Sequence, residues 1–196
     1  MSRRPLVAVD LDGTLVKGNT LHIYFRCAMA EMLLRGRIGA FACSAGLLAL
    51  RRLNLVSHSS MKFGIFRRIR PSEGLRRRFV ASVGKLMRSD VAALIEGYRA
   101  QGYAVLLATA APAPYIRDIW EGRYVATDMN PVTNPRRVEC RGKEKLRRVE
   151  DYARSYGFRL AAAVSDDAED DAPLLAAAPE AYLAVAEGLE RISRGK

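Results

Sequence analysis

Hydrophobic spacing along this chain follows two periods. Leu6 to Val9 is a short continuous apolar run, partly β-branched and free of turn residues, and it reads as a buried strand ending at Asp10-Leu11-Asp12-Gly13. From about Lys17 to Asp90 the spacing is helical with little strand signal. Thr20–Leu34 and Ile38–Leu53 carry apolar residues at helix spacing, with Gly36 and Gly39 breaking the run between them. Leu55 to Ser60 reads as a polar hinge in which Ser59 or Ser60 caps a helix beginning near Met61. Pro71-Ser72-Glu73 opens another helix towards Leu86.

Beyond Val91 helices and strands alternate. Val91–Gln101 predicts a helix stopped by Gly102, and Tyr103–Thr109 a second buried strand. A short helix over Pro112–Trp120 and a brief strand over Tyr124–Thr127 come next, and Asp128 to Val138, with Pro131 and Pro135, reads as loop. Gly142–Tyr156 predicts a strongly charged helix, Leu160–Val164 a strand, Pro173–Ala178 a helix, Tyr182–Val185 a fifth strand and Glu187–Arg194 a tail helix. Strands alternating with helices of this length predict an α/β fold, a Rossmann-like parallel sheet flanked by helices on both faces. The core is then formed by residues 1–16 and 91–196, with an all-helical insert over 17–90.

Composition narrows the class. The 196 residues suffice for one good core, or for a core and a smaller insert, and 49% hydrophobic with 27% charged residues is globular usage. The N-terminus runs directly into the first strand without a signal-peptide apolar region, and Ile38–Leu50, the longest nearly apolar stretch, is too short to span a bilayer. Cys27, Cys43 and Cys140 are odd in number and form no Cys-x-x-Cys pair, which argues against zinc and a disulfide framework and for a reducing cytoplasm. The net charge of +11 invites a polyanionic partner, although Ala and Arg are so abundant that coding bias is an equal explanation.

In a parallel sheet ligands bind at the carboxyl ends of strands, which directs attention to three places. Asp10 and Asp12 leave the first strand on the same side, where two carboxylates repel unless a cation such as Mg²⁺ bridges them. An ordinary Asp-Gly turn is the alternative for that tetrapeptide alone. The second strand ends in Thr109, where a hydroxyl and the backbone N–H groups from Ala110 onward lead to the Pro112 helix and suit a phosphate. The fourth strand ends in Ser165-Asp166-Asp167-Ala168-Glu169-Asp170-Asp171, five acidic groups in seven residues of a basic protein, as expected of a carboxylate-lined metal site. Lys143 and Lys145 open a helix, where the dipole disfavours cations, so nearby carboxylates and a phosphoryl group are a sufficient reason for one of them.

Asp10-Leu-Asp-Gly-Thr, Thr109, Lys145 and the Ser165-Asp166 cluster, in that order, resemble the four motifs of the haloacid dehalogenase-like phosphatases over nearly the whole chain. The helical block resembles that superfamily's first type of inserted cap, which phosphoserine phosphatase also has. Glu139–Lys145 and Arg159-Leu160…Ser165-Asp166…Pro173-Leu174-Leu175 are similar to the phosphatidylglycerophosphatase C type. The resemblance implies an Mg²⁺-dependent phosphomonoesterase in which Asp10 forms an aspartyl-phosphate and Asp12 protonates the leaving alcohol and then activates water. It further implies that Thr109 and Ala110 hold the phosphoryl oxygens, that Lys145 (or Lys143) balances charge, and that Asp10, Asp12, Asp166 and Asp171 surround the metal. Alignment from the strand selects Asp166 and alignment back from Pro173 selects Asp167; Asp170 competes with Asp171 for the second acidic position.

The expected partner is a phosphorylated substrate, lipid phosphomonoesters included, since an Arg-rich helical insert suits peripheral contact with the anionic inner face of a membrane. A small soluble substrate such as phosphoserine is an equal expectation. A non-catalytic fold binding nucleic acid or acidic partners is the rival from another class. Aromatic residues are not interleaved with the basic clusters, which argues against nucleic acid.

Overall fold

The structure is a computed structural model that describes residues 3–192. The chain divides into two compact units, one of residues 1–19, 86–127 and 139–196, the other of residues 20–85 and 128–138. The contact division falls a few residues inside the 17–90 insert expected from the sequence, and it groups the Asp128–Val138 loop with the helices.

The first unit is built on six strands: β1 (Arg4–Val9), β2 (Ala104–Pro112), β3 (Arg123–Thr127), β4 (Phe158–Ser165), β5 (Glu180–Val185) and β6 (Gly188–Arg191). They form one sheet in the order β3-β2-β1-β4-β5-β6, parallel except for the β5–β6 pair. β1 is central, with Val7 paired to Val105 on one side and to Ala162 on the other. Such a strand is covered on both faces, which is why it reads as a continuous apolar run. The same unit contains α5 (Ser89–Ala100), α6 (Ala113–Ile119), α7 (Gly142–Ser155) and α8 (Ala172–Ala177). One core cluster joins Leu6 and Ala8 of β1, Leu106 and Ala108 of β2 and Ala163 of β4 to Val149 and Ala153 of α7 and Leu174 and Leu175 of α8. Alanines on the strands let these helices approach closely, and burying the larger side chains stabilises the stack by about 2 kcal/mol each.

The second unit holds α1 (Thr20–Leu34), α2 (Ile38–Arg52), α3 (His58–Phe66) and α4 (Glu73–Gly84). Tyr24 of α1 stacks on Phe66 with centroids 5.4 Å apart and meets Phe79 of α4 edge-on at 5.1 Å. Buried Glu31 of α1 is held by Arg35, by Arg78 and by the Ser72 hydroxyl at 2.6 Å. Ser72 also caps α4, accepting the Leu75 N–H at 3.1 Å, so one hydroxyl ties the start of α4 to α1.

Three expectations are corrected. α3 begins at His58, not near Met61, because Ser57 rather than Ser59 or Ser60 is its cap and accepts the Ser60 N–H at 3.1 Å. β2 continues through Ala110 and Ala111 to Pro112, so the following helix starts at Ala113 and has only seven residues. Glu187–Arg194 is not a tail helix: Gly188 at φ +147 opens β6, which folds back antiparallel on β5 with Val185 opposite Gly188. A tight turn at Ala186-Glu187 satisfies the edge of β5, an outcome favoured over a short exposed helix. Residues 193 and 194 of that prediction lie outside the described residues.

Candidate active site

All of the expected site residues lie in the first unit, at the carboxyl ends of β1, β2 and β4 and at the start of α7. β1 and β4 pair up to Val9 and Val164, and the Asp10 N–H donates to the Val164 carbonyl at 2.9 Å. That pairing sets Asp10 beside Ser165 and the acidic loop.

Lys145, on the first turn of α7, reaches into this space and is only 4% exposed. Its Nζ donates to Asp10 Oδ1 at 2.8 Å and to Asp171 Oδ2 at 2.6 Å. Burial opposes the Lys145 charge, but Asp10 and Asp171 outweigh it and hold the ammonium above the usual lysine range. Burial likewise pushes the Asp10 carboxyl up to about 7; Lys145 pulls it down, while Asp171 and Asp12 add to the rise. Lys143 is exposed, so of the two lysines that open α7 only Lys145 joins the buried cluster.

The acidic loop separates into members with different partners. Asp171 is buried, and its Oδ2 accepts from the Ser165 hydroxyl at 2.6 Å as well as from Lys145. Its Oδ1 is buried with no hydrogen-bond partner. Asp170 instead pairs with Arg141 at 2.6 Å near the surface, and Asp167 accepts the N–H groups of Glu169 and Asp170, closing the turn before α8. Asp166 is locked to the first motif: its N–H donates to Thr14 Oγ1 at 2.8 Å, and that hydroxyl donates to Asp166 Oδ1 at 3.0 Å. Gly13, at φ +80, is what allows the approach, because a Cβ there would lie 1.9 Å from Asp166 Oδ2. Asp12 follows β1 in the turn that returns to Val16 and is half-buried.

Thr109 and Ala110 belong to β2, which pairs directly with β1. Thr109 is 1% exposed and its hydroxyl accepts the Ala111 N–H at 3.0 Å. The Ala110 carbonyl accepts from Thr127 Oγ1 at 2.7 Å. The expected strand end at Thr109 and helix start at Pro112 are corrected here, since β2 runs three residues further and the helix begins at Ala113. Sequence reasoning passed over two further residues. Ser165 orients Asp171, and Thr14 ties Asp166 to the segment that follows β1. Their signal was a hydroxyl beside each acidic pair.

The donor set suits a hard divalent cation. Its side chains are carboxylates, and Asp171 Oδ1 is a buried carboxylate oxygen without a hydrogen-bond partner. Among the described residues, however, no three His, Cys, Asp or Glu side chains converge as a ready group for an ion. The hydrogen bonds give the reason: Lys145 Nζ bridges Asp10 and Asp171, and Thr14 holds Asp166. Cys140 contributes no thiolate, since burial pushes its thiol up to about 11.

Among curated proteins no match is found. Among solved structures, a protein of unknown function from Bordetella pertussis Tohama I superposes with a TM-score of 0.68 at 20% identity, over 92% of this chain and 89% of that one. A phosphoserine phosphatase solved as a phospho-aspartyl intermediate analogue gives a TM-score of 0.56 at 15% identity, over 92% and 86%. A phosphoserine phosphohydrolase-like protein from Francisella tularensis subsp. tularensis SCHU S4 gives 0.51 at 16% identity, over 92% and 86%. These likenesses establish the α/β fold. The model of the haloacid dehalogenase-like hydrolases matches residues 7–176, from within β1 to α8, and the chain belongs to that family.

Proposed function

We propose that this hydrolase is a phosphomonoesterase that works through an aspartyl-phosphate on Asp10. The observation that carries the reading is the buried Lys145 ammonium shared between Asp10 and Asp171 at the carboxyl edge of the sheet. An ionised carboxylate is the nucleophile such chemistry needs, and Lys145 favours the ionised form of Asp10 against the cost of burial. An Asp10 oxygen attacks phosphorus as the phosphorus–oxygen bond to the alcohol breaks, and Asp12 gives the leaving alkoxide its proton. Water then attacks phosphorus, Asp12 takes a proton from it, and phosphate leaves with Asp10 restored. Thr109, with the N–H of Ala110, is the proposed holder of the phosphoryl oxygens. Lys145 stabilises charge gathering on them in a site where water is largely excluded.

Mg²⁺ is the proposed cofactor, held by the carboxylates of Asp10, Asp166 and Asp171 and by the Asp12 carbonyl. Bound there it neutralises charge on the phosphoryl group. Asp171 is preferred to Asp170, and Lys145 to Lys143, because the first of each pair is buried in the cluster and the other faces solvent or an arginine.

A phospholipid head-group phosphate is the proposed substrate class, supported by the concentration of positive charge in the helical unit. The structural likeness to phosphoserine phosphatases supports a soluble phosphomonoester as the second reading. Phosphate release is to be measured from lipid phosphomonoesters in vesicles, phosphoserine and p-nitrophenyl phosphate, with and without Mg²⁺, on wild type and Asp10→Asn. The expected result is Mg²⁺-dependent release that the substitution abolishes. Turnover unchanged in Asp10→Asn overturns the mechanism.

A further inference from the structure

The second unit contains a helix turned inside out. α2 has one buried residue, Ser44, while the positions it exposes at helical spacing are Gly39, Ala42, Cys43, Gly46, Ala49 and Leu50. A helix on the surface of a water-soluble unit ordinarily presents charged side chains there. Bulky apolar side chains extend the surface at both ends of α2: Leu34 before it is 73% and its first residue Ile38 58% exposed, and Leu53 and Leu55 after it are each 68% exposed. Exposed leucines in such number are not scattered single residues but mark a surface that something covers.

Charge indicates what covers it. Between Glu31 and Glu73 the chain has no acidic residue, but it has Arg35, Arg37, Arg51, Arg52, Lys62, Arg67, Arg68 and Arg70. Arg35 and Arg37 bracket one end of α2, and Arg51 and Arg52 the other. Among the described residues, no carboxylate pairs with Arg37, Arg51 or Arg52. Arginines at both ends of an apolar helix lay their stems along hydrocarbon and keep their heads at the level of anionic head groups. Beside this face lies a cavity of about 630 Å³ within the same unit, lined by Phe25, Met29, Leu48 and Met61 together with Arg26 and Arg51, a setting for an acyl chain below an anionic head. A second copy of the chain is the poorer occupant, because a symmetric pairing sets the arginines of one α2 near those of the other.

We propose that α2 and its flanking leucines and arginines are a docking surface for an anionic lipid bilayer, with α2 lying along the interface. The proposal stands apart from the catalytic reading, since binding to lipid needs neither Asp10 nor a metal. No helix among the described residues is long and apolar enough to cross a membrane, so the contact is with one leaflet.

The full chain is to be sedimented with vesicles of phosphatidylcholine alone or mixed with phosphatidylglycerol, at low and high salt. The proteins are wild type, Leu53→Glu/Leu55→Glu and Arg51→Ala/Arg52→Ala, with p-nitrophenyl phosphate hydrolysis and far-UV circular dichroism as controls. Wild type is expected to bind only the anionic vesicles and to weaken with salt. Each double variant is expected to bind roughly tenfold or more weakly while keeping wild-type hydrolysis and helicity. The proposal is overturned if wild type does not sediment with anionic vesicles at low salt. It is also overturned if Leu53→Glu/Leu55→Glu binds as well as wild type, which means diffuse electrostatic attraction. A concentration-dependent dimer that the leucine variant dissociates, with no vesicle binding, overturns it in favour of an interface between copies. Vesicle binding by a protein with no phosphatase activity leaves docking established and removes the catalytic reading alone.

Discussion

Replacing Asp10 by Asn is expected to abolish phosphate release and at the same time stabilise the fold, because the site stores an unfavourable charge. Burial raises the Asp10 carboxyl from 3.8 to about 7 even with Lys145 beside it. A group whose folded pKa lies above its unfolded one contributes stability below the unfolded value, and that stability is lost as pH rises through the folded value. For Asp10 the window runs from about pH 4 to about pH 7. A rise of about three units at about 1.4 kcal/mol each makes ionisation cost the folded state about 4 kcal/mol at pH 8. Asn keeps the oxygen that accepts from Lys145 and removes the charge, so Asp10→Asn is expected to gain a few kcal/mol, up to that limit, at pH 8 and little at pH 4. The assay is urea unfolding of chelator-treated protein at pH 4, 6 and 8, followed by circular dichroism. Asp10→Asn less stable than wild type at pH 8, or an equal difference at all three values, refutes the reasoning.

Three further outcomes are expected. Gly13→Ala places a methyl group 1.9 Å from Asp166 Oδ2 at a φ of +80, so Asp166 must leave Thr14. A loss of about 2 kcal/mol in urea unfolding and a fall of about a hundredfold in phosphate release follow, and near-wild-type release contradicts the role of that contact. Glu31→Ala removes the carboxylate that Arg35, Arg78 and Ser72 share, and because both arginines are partly solvated the loss is about 2 kcal/mol, read as a lower thermal midpoint. The hydrogen bond from Arg88 lowers Asp90 to about 2, so its stabilisation is present above about pH 4 and is lost as pH falls through about 2. Asp90 is about one-third exposed, so screening leaves roughly 1 kcal/mol, and Asp90→Asn is expected to flatten the acid limb of the stability curve by that amount.

The elements legible from the chain are those whose burial is simple. β1, central and covered on both faces, showed as an unbroken apolar run, and α1, α2, α4 and α7 showed as helical spacing with identifiable ends. The misread elements are those where a long-range partner decides. Residues 188–191 form a strand because β5 offers them an edge, which no local pattern contains. β2 extends past Thr109 because Pro112 pairs with Thr127 of β3. Ser59 and Ser60 read as the caps of α3, but the turn geometry selects Ser57.

The site divides in the same way. From the sequence alone came the residue types and their order: paired carboxylates after β1, a hydroxyl towards the end of β2, a cation at the start of α7 and an acidic run after β4. These follow from local chemistry, since strand ends and helix starts can be read from composition and period. Which of five neighbouring acids is buried against the cation, and which of two lysines is buried with them, was decided only by the tertiary structure. The β1–β4 register and the packing of α7 and α8 on the sheet bring Asp10, Lys145 and Asp171 within hydrogen-bond distance out of water. Asp170, one residue away, is left to Arg141 at the surface. One residue along the chain turns a side chain to another side, and only the folded surroundings determine which side is buried.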